Sequence, residues 1–390
     1  MTPVFNSLLE TDLYKFTMWQ AMLHQMPDNH AEYTFVCRNK PAVDLTGLLD
    51  GVNEQLDHLC TLRFTEDELA YLGGLRYIKP DFVDFLRGFQ FERAHIRAWV
   101  EDGELKIVAE GPQIKVMAFE VFVLAIVNEL YFRGEEPTAL GWTQLRDKVD
   151  RVKDRVKARR FPFQFFDFGL RRRFSGAWHL QVVEVLAREL PEHFGGTSNV
   201  KLAKELGLTP IGTMAHEWLQ TFQALPHVEL EDSQTEALEV WLEEYGSDLG
   251  IALTDVVGMD AFLRDFHPVL TKRFAGLRHD SGDAVEWGEK ALAHYEAKHV
   301  DPRTKRLVFS DGLNIDKAID LYDHFADRVR VGFGIGTNLT NDVGFKPLNV
   351  VMKLTACNGK PVAKLSDSPG KTLCKDDEFV ALLKRAFEVA

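Results

Sequence analysis

The run Arg278-His279-Asp280-Ser281-Gly282-Asp283 sets two carboxylates around a Ser-Gly turn, with an arginine two residues before the first. Carboxylates so placed can exchange protons, hold a cation or accept hydrogen bonds from hydroxyls. The run follows Arg273-Phe274-Ala275-Gly276-Leu277 and precedes a helical-looking stretch from Ala284 to Lys298. Both acids therefore fall on a strand-to-helix loop, where α/β enzymes carry their chemistry.

Three further segments carry chemistry-bearing residues. In Gly212-Thr213-Met214-Ala215-His216-Glu217-Trp218, a Gly-Thr pair leads into a helix with an imidazole in its first turn and a carboxylate beside it. A neutral imidazole there suits a nucleophile or proton carrier; a capped or core histidine is the plainer alternative. No second histidine follows Glu217 in H-E-x-x-H spacing, which disfavours zinc. Gly332-Phe333-Gly334-Ile335-Gly336-Thr337 lacks dinucleotide-fingerprint spacing, yet it leaves backbone N–H groups open and can cradle a phosphate. It fits a tight barrel loop equally well. Phe165-Phe166-Asp167-Phe168-Gly169-Leu170-Arg171-Arg172-Arg173 joins aromatic to cationic residues, a pattern that can sandwich a flat ring and pair its carboxylate, or can end a core strand at a charged surface. Upstream, Arg151, Arg155 and Arg159 recur at i, i+4 spacing and read as one solvated helix face. Gly370-Lys371-Thr372 resembles the end of a P-loop, but Leu365 stands where the first glycine belongs and Pro369 precedes the triplet, so a Walker A reading fails.

The elements that must position these residues belong to a large chain. Its 390 residues, 45% hydrophobic, suffice for a sizeable core and more than one domain. A net charge of -13 argues against nucleic acid or an anionic membrane surface as partner. Cys37, Cys60, Cys357 and Cys374 form no C-x-x-C pair, so neither structural zinc nor a disulfide framework is indicated and a reducing, cytoplasmic compartment fits. The N-terminus shows no basic region followed by an apolar one, hence no signal peptide is expected. Val116 to Phe132 is the most apolar stretch, but Glu120, Asn128 and Glu129 interrupt it and make it a buried helix rather than a span.

Residues 2–134 mix helical patterns (12–26, 45–60, 65–72) with strand-like runs (31–38, 95–99, 104–110, 113–116). From about Val200, short apolar runs alternate with amphipathic helices: 210–213 before 216–224, 251–255 before 261–266, 276–280 before 284–298, and 306–310 before 314–325, with 329–334 before a loop over 337–345. Repeated βα units imply a parallel sheet whose strand ends collect Thr213, Asp255, Asp280, Asp311 and Gly334. The expected fold class is α/β: an irregular TIM-like α/β barrel over residues 135–390, with an additional N-terminal α+β domain over 1–134 whose first twenty or so residues pack at the active site.

Seven segments occur in the order found in nicotinate phosphoribosyltransferases: Leu9 to Met18, Asp167 to Arg172, Gly212 to Glu217, Arg278 to Asp283, Phe309 to Asn314, Gly334 to Thr337 and Lys364 to Asp367. The chain resembles the bacterial type of that family from Leu9 to Lys371. The nicotinamide and quinolinate enzymes share part of the pattern, but Thr-Asp-Leu-Tyr-Lys and Gly-Thr-Met-Ala-His-Glu look most like the nicotinate enzyme. Asp255 is followed by Val256-Val257, where the family pattern leads one to expect a threonine and an aromatic.

The resemblance implies an ATP-dependent, ligase-type pentosyl transfer in NAD biosynthesis. Nicotinate and 5-phosphoribosyl 1-pyrophosphate would give nicotinate mononucleotide and pyrophosphate, with Mg2+ held mainly by the pyrophosphate rather than by protein ligands. His216 matches the phosphohistidine that couples ATP hydrolysis. Asp280 and Asp283 would cradle the ribose, with Asp255 beside them. Tyr14, Phe168, Arg171, Thr213 and Arg278 would form the nicotinate pocket, and Gly334, Gly336 and Thr337 the 5-phosphate site. A cytoplasmic homodimer with shared active sites is expected, and the contacts of Arg172 and Arg173 are left open.

Overall fold

The structure is a computed structural model that describes residues 1–39, 42–368, 372, 374 and 376–389; Pro369, Gly370 and Lys371 of the P-loop-like stretch lie outside the described residues. Two sheets organise it. One is antiparallel, built from β1 (His30–Cys37), β2 (Ile96–Glu101), β3 (Glu104–Pro112), β10 (Val350–Cys357) and β11 (Lys360–Pro361) in the order β11-β10-β1-β3-β2. The other is parallel, built from β4 (Phe165–Asp167), β5 (Phe194–Thr197), β6 (Ile251–Leu253), β7 (Gly276–His279), β8 (Arg306–Phe309) and β9 (Arg330–Ile335) in the order β5-β4-β9-β8-β7-β6.

The antiparallel sheet follows from period-two sequence. Ala31, Tyr33, Phe35 and Cys37 of β1 point inward while the intervening residues are half-buried, and Leu105, Ile107 and Ala109 of β3 do the same. β2 and β3 close through Asp102-Gly103, both in the left-handed region, as a two-residue hairpin matched to strand twist requires. Against this sheet lies helix α2 (Phe119–Tyr131), in which every residue except Glu129 and Tyr131 is buried. It is the expected buried helix, and no helix of the described residues is long and apolar enough to cross a membrane.

Three expectations give way. Gln113–Val116 is a helical turn, not a strand: Gly111 and Pro112 end the ladder, the Gln113 N–H donates to Asn29 O at 2.7 Å, and its side-chain amide donates to Thr221 Oγ1 at 2.8 Å. Residues 210–213 form no strand but stand between the two edges of the parallel sheet. There Ile211 N donates to Thr197 O of β5 (2.9 Å) and Thr213 Oγ1 to Ile251 O of β6 (3.1 Å). The antiparallel sheet also reaches beyond residues 1–134, because β10 pairs with β1 over its whole length.

Helix α1 (Leu13–Gln25) is almost wholly buried and connects the N-terminal segment to the parallel sheet. Its N-cap Asp12 bridges to Asn199, and Leu13 N donates to Ser198 O just past β5.

Candidate functional site

The C-terminal ends of the parallel strands converge on a cluster of charge. Beyond β6, Asp255 is 1% exposed and takes three partners: His216 Nε2 at 2.8 Å from Oδ1, with Lys364 Nζ at 2.5 Å and Ser281 Oγ at 2.6 Å from Oδ2. Beyond β7, Asp280 keeps its side chain 22% exposed, with Oδ2 3.4 Å from His216 Nε2 and 3.7 Å from Lys364 Nζ. Burial opposes ionisation of Asp255, but His216 and Lys364 outweigh it and hold the carboxyl well below the carboxylate range. The same contest at Asp280 is won by Arg278, Lys364 and His216, so this acid too is firmly ionised. Burial, reinforced by the Lys364 ammonium, lowers His216 below an ordinary histidine despite the two carboxylates. The lowering favours the neutral form, and because Nε2 faces both acids a neutral ring would keep its proton there and leave its lone pair on Nδ1.

Two arginine–aromatic pairs flank the cluster. Arg278 donates from Nε to Ser310 Oγ (2.8 Å), pairs with Asp280 Oδ1 (3.3 Å) and lies over the Phe168 ring at 5.6 Å. Ser310, at the end of β8, also donates to the backbone of His279 and lies 2.9 Å from Asp280 Oδ1. Phe168 rests on β9 where there are no side chains: a Cβ on Gly334 would stand 2.3 Å from its ring, and one on Gly336 3.0 Å from its carbonyl. On the other flank, Arg171 lies over the Tyr14 ring at 5.6 Å and donates to Glu120 Oε1 at 3.1 Å. The Tyr14 hydroxyl is buried without a hydrogen-bond partner. Thr213 joins these flanks through its backbone, since its carbonyl accepts from Thr17 Oγ1 at 2.6 Å.

Between His216 and β10 lies a cavity of about 110 Å³, lined by Glu120, Arg171, Arg172, His216, Lys353 and Lys364 among others. Burial and its cationic neighbours lower Lys353 to about 8 and Arg172 to about 10. An arriving anion would meet cations short of counter-charge. Nothing in the sequence singles out Lys353; Lys364 opens the Lys-Leu-Ser-Asp motif, the one signal that points to it. The triplet is now apportioned. Arg171 faces Tyr14, Arg172 lines the cavity and donates to Asn349 Oδ1 (3.3 Å), and Arg173 is buried between Glu10 and Glu129 at 2.5 and 2.6 Å. The basic run upstream is not a free face, because Arg155 and Arg159 pair with Asp316, Asp320, Asp323 and Asp327.

Not every candidate reaches this cluster. Asp283 is the N-cap of helix α4 (Ala284–Ala297), its Oδ1 accepting from Val285 N and Glu286 N, and it lines a separate shallow depression with Asp260 and Lys290. Asp280 thus opens onto the charged cluster, whereas Asp283 caps α4 through Oδ1 and faces the neighbouring depression. Thr337 opens a single helical turn after Gly336, linked to the rest through the Phe168 seat. Tyr14 meets Arg171 within one chain, so that contact needs no second copy.

His216, Asp255 and Asp280 also offer one ligand atom each within 4.8 Å of one another. A hard cation such as Mg2+ prefers oxygen donors in an octahedron, and the Lys364 ammonium already pairs closely with Asp255 and more loosely with Asp280. The residues thus fit a magnesium ion that arrives on a polyphosphate, with the exposed edge of Asp280 as its accessible protein oxygen.

The family described as "Nicotinate phosphoribosyltransferase (NAPRTase) family" matches residues 163–390, and its "N-terminal domain" matches residues 9–128. The chain is 59% identical to the nicotinate phosphoribosyltransferase of Herminiimonas arsenicoxydans, over 99% of this chain and 98% of that protein, and 55% identical to that of Chromobacterium violaceum, over 100% and 98%. Among solved structures, the Vibrio cholerae nicotinate phosphoribosyltransferase superposes with a TM-score of 0.95 at 39% identity over 100% of this chain and 94% of that one. The Porphyromonas gingivalis enzyme gives 0.92 at 36% identity over 99% and 100%.

Proposed function

Because the chain belongs to the nicotinate phosphoribosyltransferase family, we propose that it joins nicotinate to 5-phosphoribosyl 1-pyrophosphate, yielding nicotinate mononucleotide and pyrophosphate, with ATP hydrolysis coupled through phosphorylated His216. The observation that carries this reading is the His216 imidazole held at 2.8 Å by Asp255, beside Asp280 and an arginine–aromatic pair.

The pyridine nitrogen of nicotinate brings its own lone pair, so attack at C1 needs no strong base. The barrier lies in departure of pyrophosphate, which leaves positive charge on the ribose. Asp280 sits ready to accept the ribose hydroxyls and to offset that charge. Magnesium carried on the pyrophosphate neutralises the leaving group when bound, and Asp280 is the residue that would help hold it. Arg172, Lys353 and Lys364 supply the cationic lining for phosphates. Phe168 with Arg278 and Tyr14 with Arg171 offer stacking faces and cations for the ring and its carboxylate, bounded by Thr213. Gly336 and Thr337, with Gly334 just before them at the end of β9, are the residues assigned in this reading to the 5-phosphate.

In the coupling step, the Nδ1 lone pair of His216 attacks the γ-phosphorus of ATP; the N–P bond forms as ADP leaves. Asp255 retains the Nε2 proton and stabilises the charged ring. Water later cleaves the N–P bond, and its free energy drives synthesis. In this reading the protein is a cytoplasmic homodimer that returns nicotinate to NAD biosynthesis. A side-by-side assay of nicotinate and nicotinamide with the phosphoribosyl donor and ATP tests the assignment: nicotinate should be strongly preferred, and preference for the amide would overturn it.

A further inference from the structure

Lys15 is fully buried, one residue after Tyr14, and lies at the heart of an ionic cluster that the reaction itself does not use. Its Nζ lies 2.6 Å from Glu120 Oε2 and 2.5 Å from Glu217 Oε1, between the Tyr14 and Tyr33 rings at 5.6 and 5.7 Å. Glu120 turns its other oxygen to Arg171, at 3.1 Å. Glu217 directly follows His216 in helix α3 (His216–Phe222). One ammonium thus joins the acid that orients Arg171 to the residue adjoining the phosphate acceptor.

The rest of α1 follows the same course. Thr17 Oγ1 donates to Thr213 O at 2.6 Å, Ala215 N approaches Met18 Sδ at 3.2 Å, and Tyr245 Oη donates to Thr17 O at 2.5 Å. Lys15 therefore meets the first turn of α3, and Thr17 and Met18 meet the loop that leads into it. A buried ammonium is a costly way to fill space, and apolar replacements of buried ion clusters are often as stable. Such a cluster is better suited to fixing one arrangement of charges.

We infer that Lys15 is a positioning residue that ties the nicotinate-binding arginine, Arg171, to the helix bearing the phosphate acceptor, His216. The inference rests on the proposed reading of that site. With Lys15 present, Glu120 divides its two oxygens between ammonium and guanidinium, and Arg171 keeps donors free for the carboxylate of the base. Without it, Glu120 closes on Arg171 as a two-point pair and withholds it, while Glu217 no longer anchors the first turn of α3.

The test compares full-length Lys15→Met, Glu217→Gln and the double variant in three measurements: melting temperature, KM for nicotinate against kcat, and mononucleotide formed per ATP hydrolysed. Lys15→Met should raise the nicotinate KM at least ten-fold and halve the yield per ATP or worse. Glu217→Gln keeps the Lys15–Glu120 pair, so it should lower the yield per ATP with KM close to native. The double variant, which removes an unpaired buried acid, should regain melting temperature without regaining KM or yield. Native KM and yield in folded Lys15→Met, or recovery of both with melting temperature in the double variant, would overturn the inference. Should Lys15→Met not fold, an unchanged yield in Glu217→Gln overturns it alone. Absence of phosphohistidine in the unmodified protein would instead defeat the functional reading, while the KM comparison would still judge the Lys15–Glu120–Arg171 link.

Discussion

Asp280 and Asp283 stand three positions apart on one loop, yet they have different roles. Asp280 is ionised by Arg278, Lys364 and His216 and opens onto the site, whereas Asp283 spends one oxygen on two backbone N–H groups of α4. Sequence brought out both because strand-end acids are where such folds place chemistry. It could not separate them, since an aspartate just before a helix is also the preferred cap. Asp255 was legible for the same strand-end reason and His216 from the helix start on which it stands; Lys364 was not, because only tertiary folding carries a distant lysine to the two carboxylates. Asp280→Asn keeps size and hydrogen bonding but removes the charge that would offset a cationic ribose. It should lower kcat about 10²–10³-fold with melting temperature nearly unchanged, and steady-state kinetics beside a thermal scan would show otherwise if turnover stayed near native.

The elements whose pattern is local were readable: β1, β3 and the βα units from β6 to β9 follow from alternation or amphipathic spacing, and α2 from a continuous apolar run. Elements decided by distant partners were not. Gln113–Val116 has an apolar pattern compatible with a strand, but Asn29 and Thr221 draw it into a helical turn. The glycine-rich end of β9 shows how an element shapes the site beyond its own backbone, because the bare Gly334 leaves room for the Phe168 ring. Gly334→Ala should displace that ring and destabilise the fold by about 1–3 kcal/mol. Its kinetic mark should be a raised KM for nicotinate, measured with a urea titration of the same variant; an unchanged KM would dissociate Phe168 from the base pocket.

On the scale of the whole molecule, the chain's two ends share one sheet and its N-terminal segment reaches the parallel strands, so the antiparallel part is not a separate bead. Arg173 fastens this arrangement, joining Glu10 near the N-terminus to Glu129 of α2 from beneath the Phe5 ring. Sequence showed only a triplet of arginines, with nothing to say which would be buried. Arg173→Met leaves two carboxylates without their cation and should cost about 3–5 kcal/mol of stability in a urea titration, whereas a loss below about 1 kcal/mol would mark the pair as ornamental. The proposed coupling to ATP also belongs to this scale, for it would need His216, Asp280 and the arginine–aromatic pairs in one place. The most direct measurement is to incubate the protein with γ-labelled ATP, isolate the acid-labile, alkali-stable protein phosphate, and map it to its residue and ring nitrogen. Label on Nδ1 of His216, absent from His216→Ala and discharged by the phosphoribosyl donor with nicotinate, is the predicted result; no protein-bound phosphate, or label on another residue, would contradict it.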